Sequence, residues 1–119
     1  MQYMLLLHGD ESQDADLSPE DLEAMMAEYG AYEGALDEAG VMRGGEALLP
    51  SHTATTLRDH EGNIQVMDGP FLETREQLGG FYLIEVDTLD DALAWAKRCP
   101  ALKGGAIEVR PVMEMPDGA

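Results

Sequence analysis

The sequence predicts a single α+β domain whose elements follow one another as βαββαβ, with a β-hairpin inserted before the third strand of the sheet. Three observations support this prediction. A chain of 119 residues fits one domain with its own core. Two segments repeat apolar residues at helical spacing, each behind a Ser or Thr. Short apolar segments with turn residues between them surround both helices.

The first strand and the first helix are clearly marked. Residues 3–7 are apolar on both alternating faces, which is typical of a central strand covered on each side. Ser18 and Pro19 supply a cap and a first-turn proline, and Gly40 ends the helix. Gly30 and Gly34 share one helix face, where either another backbone approaches closely or the glycines are simply tolerated. The apolar positions of this helix are Leu22, Met25, Met26, Tyr29, Leu36 and Ala39.

The middle of the chain predicts extended structure. Residues 46–49 form a short strand, and residues 53–58 and 63–67 form a hairpin that turns at residues 60–62. One face of the hairpin carries Ile64, Val66 and Asp68. Beyond it, Thr74 and Gln77 match a capping box, which predicts a one-turn helix.

The last third predicts strand, helix and strand. Residues 81–86 form a strand, Thr88 caps the second helix, and residues 106–112 form the final strand. The second helix ends at Cys99-Pro100, and its apolar stripe consists of Leu89, Ala92, Leu93 and Ala96. We expect the domain to span residues 1–114 and residues 115–119 to form a C-terminal tail.

Two helices can cover only one face of the predicted antiparallel sheet. Leu5 and Leu7 alternate with Met4 and Leu6, so exposure of either face would leave an apolar patch at the surface. A second copy of the chain is the simplest cover. We therefore expect a homodimer in which two sheets pack face to face.

The chain is strongly acidic, with a net charge of −17. Its first 42 residues contain eleven acidic residues and no Lys or Arg. Because nucleic acids and anionic membranes are bound through Lys and Arg, the charge predicts no nucleic acid and no membrane partner, whereas a basic protein partner fits.

The cellular setting is predicted to be cytoplasmic. The first residues lack the basic charge of a signal peptide, and no apolar run reaches membrane-spanning length. Cys99 is the single cysteine, so no internal disulfide forms, and its place in an apolar helical pattern favours a packed thiol over a nucleophile.

The residues Asp68-Gly69-Pro70-Phe71 predict an abrupt corner after the hairpin. Pro70 has no N–H, so the Asp68 carboxylate loses the donor two residues on that an Asx turn would use. It must find the N–H of Phe71, a side chain, water or a ligand instead. Asp68 is therefore a candidate for either a structural or a functional role.

Several motifs occurring in one order resemble the YCII-related proteins of the DGPF type. They are Asp68-Gly69-Pro70-Phe71, Glu73, Glu76, Gly79-Gly80-Phe81, Gly45-Glu46-Ala47-Leu48, Ile107-Glu108-Val109-Arg110-Pro111, Tyr3-Met4-Leu5-Leu6 and Ala92-Leu93-Ala94-Trp95-Ala96. The resemblance spans almost the whole chain and implies a ferredoxin-like, dimeric α/β barrel. Functions in this family are largely unassigned. Its relatives include a dechlorinating lyase-like enzyme and domains associated with extracytoplasmic-function sigma factors, so the fold does not supply a reaction.

His8 and Asp68 form the predicted catalytic pair. Some YCII-related proteins outside the DGPF branch carry a His and Asp pair in a cleft. His8 ends the first strand on the face of Leu6, from which it can look into a cleft beside Asp68 and move a proton. His52 follows Pro50-Ser51 in a loop and is a candidate ligand-binding residue. His60 lies at the hairpin tip, where we expect it to be solvated.

Glu108 and Arg110 lie two residues apart on the last strand, on the face opposite Ile107 and Val109. Two readings stay open for them. They form a salt bridge at the dimer interface, or Arg110 binds the carboxylate of a ligand. Glu46 joins the same polar group in either case.

Arg75 is a further candidate for binding an anionic ligand, although we expect it to pair with Glu73 and Glu76. The sequence contains no spaced Cys/His zinc pattern, no Gly-rich phosphate loop before a helix and no nucleophile elbow. It therefore predicts neither a metal nor a required cofactor.

Two functions fit these residues. The first is a small homodimeric protein that binds an organic, anionic molecule in a barrel cleft, with cofactor-independent lyase-like or isomerase-like acid/base chemistry. The alternative is a non-catalytic regulatory or protein-interaction module linked to extracytoplasmic-function sigma factor signalling, in which the acidic first helix meets a basic protein partner.

Overall fold

A computed structural model describes residues 1–116 and shows an α+β fold. Its strands are β1 (Gln2–Asp10), β2 (Met42–Ala47), β3 (Thr55–His60), β4 (Asn63–Asp68), β5 (Glu76–Glu85) and β6 (Gly105–Pro111). Its helices are α1 (Glu11–Asp14), α2 (Pro19–Glu38) and α3 (Leu89–Arg98), and 3-10 turns lie at Ser51–Thr53 and Pro100–Leu102. The predicted order of strands and long helices is confirmed. Residues 117–119 of the predicted tail lie outside the described residues.

Four strands form one antiparallel sheet in the order β2-β5-β1-β6. Mixed helices and an antiparallel sheet in this order are consistent with the predicted ferredoxin-like fold. The strands β3 and β4 form a separate two-stranded hairpin, as the sequence predicts. A bulge interrupts the pairing of β1 with β5, because Leu7 faces Gly80 while His8 faces Leu78 and leaves Gly79 unpaired.

Helices α2 and α3 cover one face of the sheet and enclose the core. Every second residue of β1 is buried there, and Tyr32 packs edge-on against Tyr82 and Trp95 at centroid distances of 5.5 and 6.4 Å. The Tyr32 hydroxyl donates to the Trp95 carbonyl at 2.8 Å, so the buried phenol keeps a partner. The core residues are Tyr3, Leu5, Leu7, Tyr32, Leu36, Tyr82, Ile84, Ala92, Ala96 and Cys99.

Both long helices begin where the sequence predicts. The Ser18 hydroxyl accepts a hydrogen bond from the Asp21 N–H at 3.1 Å, and the Thr88 hydroxyl accepts one from the Asp91 N–H at 3.1 Å. Gly40 follows the end of α2 with a φ of 73°, a conformation that favours glycine. The two caps confirm the predicted starts of α2 and α3, and Gly40 confirms the predicted end of α2.

The predicted one-turn helix at Thr74 is wrong. Thr74 donates its hydroxyl to the Glu76 carbonyl, and the Gln77 amide donates to the carbonyls of Leu72 and Thr74, so neither side chain caps a helix. Residues from Glu76 onward extend β5 instead. Pairing with the far end of β1 outweighs the local capping pattern there, because strands gain their hydrogen bonds from distant residues.

Of the two readings for Gly30 and Gly34, the structure supports tolerated glycines, since a Cβ at either position would meet nothing within 4 Å. Close contacts occur at other glycines. A Cβ on Gly45 would lie 2.7 Å from the Tyr82 ring, and one on Gly80 would lie 2.8 Å from the Glu46 carbonyl oxygen. These two positions let β2 and β5 approach closely.

Helix α2, the first of the two helices predicted from the sequence, buries fewer of its apolar residues than predicted. Tyr32 and Leu36 are its buried residues, whereas Leu22 and Met26 are exposed. The molecule is accordingly flat, with extents of 48 × 47 × 19 Å. Within residues 1–116, no helix combines the length and the apolar character that crossing a membrane requires.

Candidate functional site

The sheet face that points away from the helices has an apolar centre. Because Tyr82 and Ile84 are buried on the helix side, their neighbours Phe81 and Leu83 point to the opposite, open face. Strand pairing sets Leu6 beside Phe81 and Met4 beside Leu83. All four side chains remain partly exposed. We call Met4, Leu6, Phe81 and Leu83 the apolar centre.

Three polar side chains border the apolar centre on one side, and we call His8, Glu108 and Arg110 the polar edge. Strand pairing places Glu108 beside Leu6 and Arg110 beside Met4. Arg110 Nη2 donates to Glu108 Oε2, and His8 Nε2 lies 3.9 Å from Glu108 Oε1. The prediction that Glu108 and Arg110 share one face is confirmed, and their ion pair forms within one chain.

The polar edge is accessible to a ligand. The side chains of His8, Glu108 and Arg110 are 31%, 41% and 70% exposed. A guanidinium has five N–H donors in a planar fork, so the contact of one Nη2 with Glu108 leaves others free to bind a carboxylate. The His8 imidazole lies too far from Glu108 for a hydrogen bond and is partly exposed, so a bound molecule can reach it.

Asp68 lies apart from this group. It ends β4 in the separate hairpin, is exposed, and makes no hydrogen bond or ion pair with His8 within the described part of the chain. The corner beside it has an architectural role. The Gly69 N–H donates to the Ala54 carbonyl at 2.7 Å, and the Thr56 hydroxyl donates to the Gly69 carbonyl at 2.8 Å. Gly69 adopts a φ of 109°, which only glycine adopts readily.

Glu46 shares the open face but lies across the sheet from the polar edge. It pairs in register with Phe81 on β5, and β1 lies between β5 and Glu108 on β6. Three strand spacings of about 4.8 Å separate Glu46 from Glu108, so the structure does not bring Glu46 into the polar edge of its own chain.

Arg75 and His52 lie near the end of β1. Arg75 Nε is 4.0 Å from Asp10 Oδ2 with a largely exposed side chain, so the predicted pairing with Glu73 and Glu76 is wrong. His52 lies in the 3-10 turn after Pro50, a loop position as predicted. His60 is exposed at the hairpin tip, also as predicted.

A polar network at the end of β1 was not predicted from the sequence. Asp10 accepts hydrogen bonds from the Ser12 hydroxyl at 2.6 Å and from its N–H at 3.0 Å, which caps α1. These bonds lower the pKa of the Asp10 carboxyl, chiefly through the Ser12 hydroxyl. Glu11 accepts from the N–H and hydroxyl of Ser51 at 2.6 and 2.7 Å. The network fixes the loop after β2 to the end of β1. The spacing of Asp10 and Ser12, typical of an Asx cap, is its one local signal.

The helix side offers two shallow depressions. One of about 500 Å³ is lined by Val41, Trp95 and Arg98, with the Arg98 guanidinium 4.4 Å from the centre of the Trp95 ring. The other, of about 600 Å³, is lined by Tyr32, Cys99 and Lys103 among others. Both are open and lie away from the polar edge, so neither gathers the predicted site residues.

Buried groups of the core are held neutral. Burial raises the pKa of the Cys99 thiol and raises the pKa of Tyr29 to about 12. Burial, followed by a hydrogen bond from its hydroxyl to Glu33 at 2.8 Å, raises the pKa of Tyr82. A neutral, buried thiol is a poor nucleophile, which agrees with the packed cysteine that the sequence predicts.

Comparison with known proteins adds two findings. The family model described as the YCII-related domain matches residues 1–116. An uncharacterized protein of Rhizobium meliloti (strain 1021) is 41% identical over 114 residues, which cover 94% of this chain and 92% of that protein.

Proposed function

The chain belongs to the YCII-related family, and from this premise we propose that it acts as a cytoplasmic homodimer that binds a small organic carboxylate between two facing sheets. One observation carries the proposal. The polar edge, with an accessible guanidinium, directly borders an apolar centre that no helix within residues 1–116 covers. A molecule with a carboxylate and an apolar body matches both parts.

The dimer is supported by the two-layer architecture. Helices cover one face of the sheet and leave the four apolar side chains of the other in contact with water. Domains of this kind stabilise such a face by packing it against another layer. A second copy brings an identical sheet, and the two apolar centres then form the walls of one cleft.

Acid/base chemistry is the reactive part of the proposal. Arg110 holds the carboxylate, and His8 takes a proton from a carbon of the bound molecule. In an elimination, the C–H electron pair forms a C=C bond while the bond to a leaving group on the next carbon breaks and that group departs with its electron pair. In an isomerisation, the C–H electron pair forms the new C=C bond, an existing C=C bond shifts its pair to its far carbon, and His8 returns the proton to that carbon. Glu108 places a negative charge 3.9 Å from the imidazolium that results. This chemistry needs no cofactor. Because Asp68 and His8 lie on separate sheets of one chain, the predicted pair acts together only if Asp68 of one protomer lies beside the partner's His8.

Binding of benzoate and of benzamide, its uncharged analogue, tests the proposal by isothermal titration calorimetry. We expect the protein to bind benzoate at least tenfold more tightly, since hydrogen bonds to a charged partner contribute about 1.5 to 3 kcal/mol. Arg110→Gln should abolish the preference because an amide side chain carries no charge.

Lys103→Gln is the matched control for this experiment. It also removes one positive charge, but Lys103 pairs with Glu28 at 3.1 Å on the helix side. We expect this variant to keep the preference for benzoate. Equal binding of benzoate and benzamide by the unchanged protein, or an unaltered preference in Arg110→Gln, would refute carboxylate recognition at the polar edge.

A regulatory, protein-interaction role is the second candidate. The observation that favours it is the acidic character of α1 and α2, which contain nine of the eleven acidic residues of the first 42 positions and no Lys or Arg. Such a surface attracts a basic protein segment at a rate that falls with ionic strength. This candidate predicts binding of basic peptides to the helix side, and Arg110→Gln leaves that binding unchanged.

A further inference from the structure

The hairpin formed by β3 and β4, which we call the arm (Thr55–Asp68), has an apolar face that is exposed to solvent within residues 1–116. Residues that pair across the arm share a face, so Leu57 lies beside Val66 and next to Ile64. These three side chains are 62%, 66% and 66% exposed. Within residues 1–116, β3 and β4 make their main contacts with each other, which leaves this face largely open to solvent.

Exposed apolar residues concentrate around the arm. Among the described residues seventeen large apolar side chains are exposed, and nine of them fall within residues 48–78. Phe71, directly after the arm, is 65% exposed and is held by the Arg58 guanidinium 4.7 Å from its ring centre. An isolated two-stranded hairpin is marginally stable in water, and an apolar patch of this kind marks an interaction surface.

The arm is anchored in a fixed direction. The hydrogen bonds from Gly69 to Ala54 and from Thr56 to Gly69 join its two strands at the base. At the tip, Glu61 and Gly62 have positive φ values of 51° and 88°, as a tight hairpin turn requires, and Gly62 donates its N–H to Asp59. A firmly built arm loses little freedom when it binds, which favours a defined partner.

We propose that the arm of each protomer reaches over the second copy of this chain and lays Leu57, Ile64 and Val66 against the partner's open sheet face. The arm then closes one side of the cleft, so each binding site is incomplete without the other protomer. This inference rests on the proposed homodimer and adds which segment of one copy contributes to the site of the other.

The area of the arm suits such a contact. A fully covered Leu or Val side chain removes on the order of 100 Å² from water. The exposed fractions of 62%, 66% and 66% for Leu57, Ile64 and Val66 therefore correspond to roughly 200 Å² per arm. A stable protein interface buries about 800 Å² on each partner, and the partly exposed apolar centre supplies less than the arm does. The arm therefore adds apolar area to a dimer that the two open sheet faces alone would join only weakly.

The distribution of charge favours the open sheet face of the second copy as the surface that the arm contacts. On the helix side, α2 carries seven acidic residues and no Lys or Arg, and bringing two such surfaces together would be repulsive. The apolar face of the arm carries only Asp59 and Asp68 as charges. The open sheet face carries Arg110 beside the apolar centre, together with the acidic residues Glu108 and Glu46, and is therefore less negative than the helix side.

Val66→Asp and Gln65→Asp form a matched pair of variants for sedimentation velocity. The two positions are adjacent on β4 and both exposed, but their side chains point to opposite faces of the arm. We expect Val66→Asp to raise the dimer dissociation constant at least tenfold and Gln65→Asp to change it less than threefold. Circular dichroism should show both variants folded, because neither side chain contributes to the core.

The outcomes separate this inference from the proposed function. A wild-type protein that is dimeric and a Val66→Asp variant with the same dissociation constant would overturn the arm contact and leave the face-to-face dimer standing. Equal weakening by both variants would also overturn it, since added charge alone would then explain the effect. A monomeric wild-type protein would overturn the dimer and the arm contact together.

Hydrogen exchange gives a second test that requires no substitution. We expect the amides of β3 and β4 to exchange at least tenfold more slowly at protein concentrations well above the dimer dissociation constant than well below it. An arm that stays free would exchange at the same rate at both concentrations, because exchange in an uncovered hairpin depends only on its own opening.

Discussion

At the scale of single residues, glycine positions are set by neighbours that the sequence does not reveal. A Cβ on Gly105 would overlap the carbonyl oxygen of His8 and lie 2.7 Å from that of Ala101, whereas Gly34 on α2 has open space around it. The two residues look alike in the sequence. Gly105 is crowded because β6 pairs with β1, which lies about a hundred residues earlier in the chain, whereas Gly34 has no such neighbour.

Gly105→Ala and Gly34→Ala should therefore have opposite effects on the free energy of unfolding. We expect Gly105→Ala to destabilise the protein by about 1 to 3 kcal/mol, as overpacking against backbone does. Gly34→Ala should stabilise it by up to about 1 kcal/mol, because alanine favours a helix over glycine. Urea unfolding measures both. A neutral Gly105→Ala would show that β6 and the turn before it are not held this closely.

Cys99 provides a second prediction at this scale. Its side chain is buried and burial raises its thiol pKa, so the reactive thiolate is scarce at neutral pH. Iodoacetamide should label Cys99 in the folded protein at least a hundredfold more slowly than in urea. Mass spectrometry over time measures the two rates, and fast labelling of the folded protein would contradict a packed thiol.

At the scale of elements, local signals were sufficient where an element is stabilised by its own residues. Ser18 and Thr88 mark both long helices, and the alternation in β1 marks a central strand. The capping pattern at Thr74 failed because β5 begins there and pairs with a strand nearly seventy residues away. The arm was predicted as a hairpin, but its separation from the sheet depends on tertiary contacts that no local pattern encodes.

Thr88→Ala tests the cap of α3. The variant loses the hydrogen bond to the Asp91 N–H, and we expect it to lower the free energy of unfolding by about 1 kcal/mol. Thr88→Ser keeps the hydroxyl and should stay within about 0.5 kcal/mol of the unchanged protein. Thermal and urea unfolding measure both variants, and equal losses would mean that the methyl group of Thr88, not its hydroxyl, matters.

At the scale of the whole molecule, the predicted α+β order and the open sheet face could be derived from the sequence, whereas the composition of the site could not. Glu108 and Arg110 were placed on one face by their spacing alone. Asp68 was joined to His8 by a resemblance, and the single chain keeps them on separate sheets. Phe81 and Leu83 could be assigned to the open sheet face only once the pairing of β1 with β5 was known.

The tyrosines and the cysteine in and around the core also determine how the free energy of unfolding changes at alkaline pH. Burial raises the pKa of Cys99, of Tyr32 and of Tyr82, and it raises the pKa of Tyr29 to about 12. Folded values above the unfolded ones mean that the folded state retains protons that the unfolded state releases. The contribution of these four groups to the free energy of unfolding should be constant below about pH 9 and fall between about pH 9 and 12. Urea unfolding across this range measures it, and an unchanged free energy at high pH would contradict buried phenols.

The mass of the assembly in native mass spectrometry tests the central claim most directly, which is that two copies join through their open sheet faces. One chain has a mass of 12.9 kDa. The wild-type protein should appear at twice that mass, and Leu6→Asp, which places a charge in the apolar centre, should appear as a folded single chain. A single chain for the wild-type protein at micromolar concentration, or an intact dimer for Leu6→Asp, would contradict the claim.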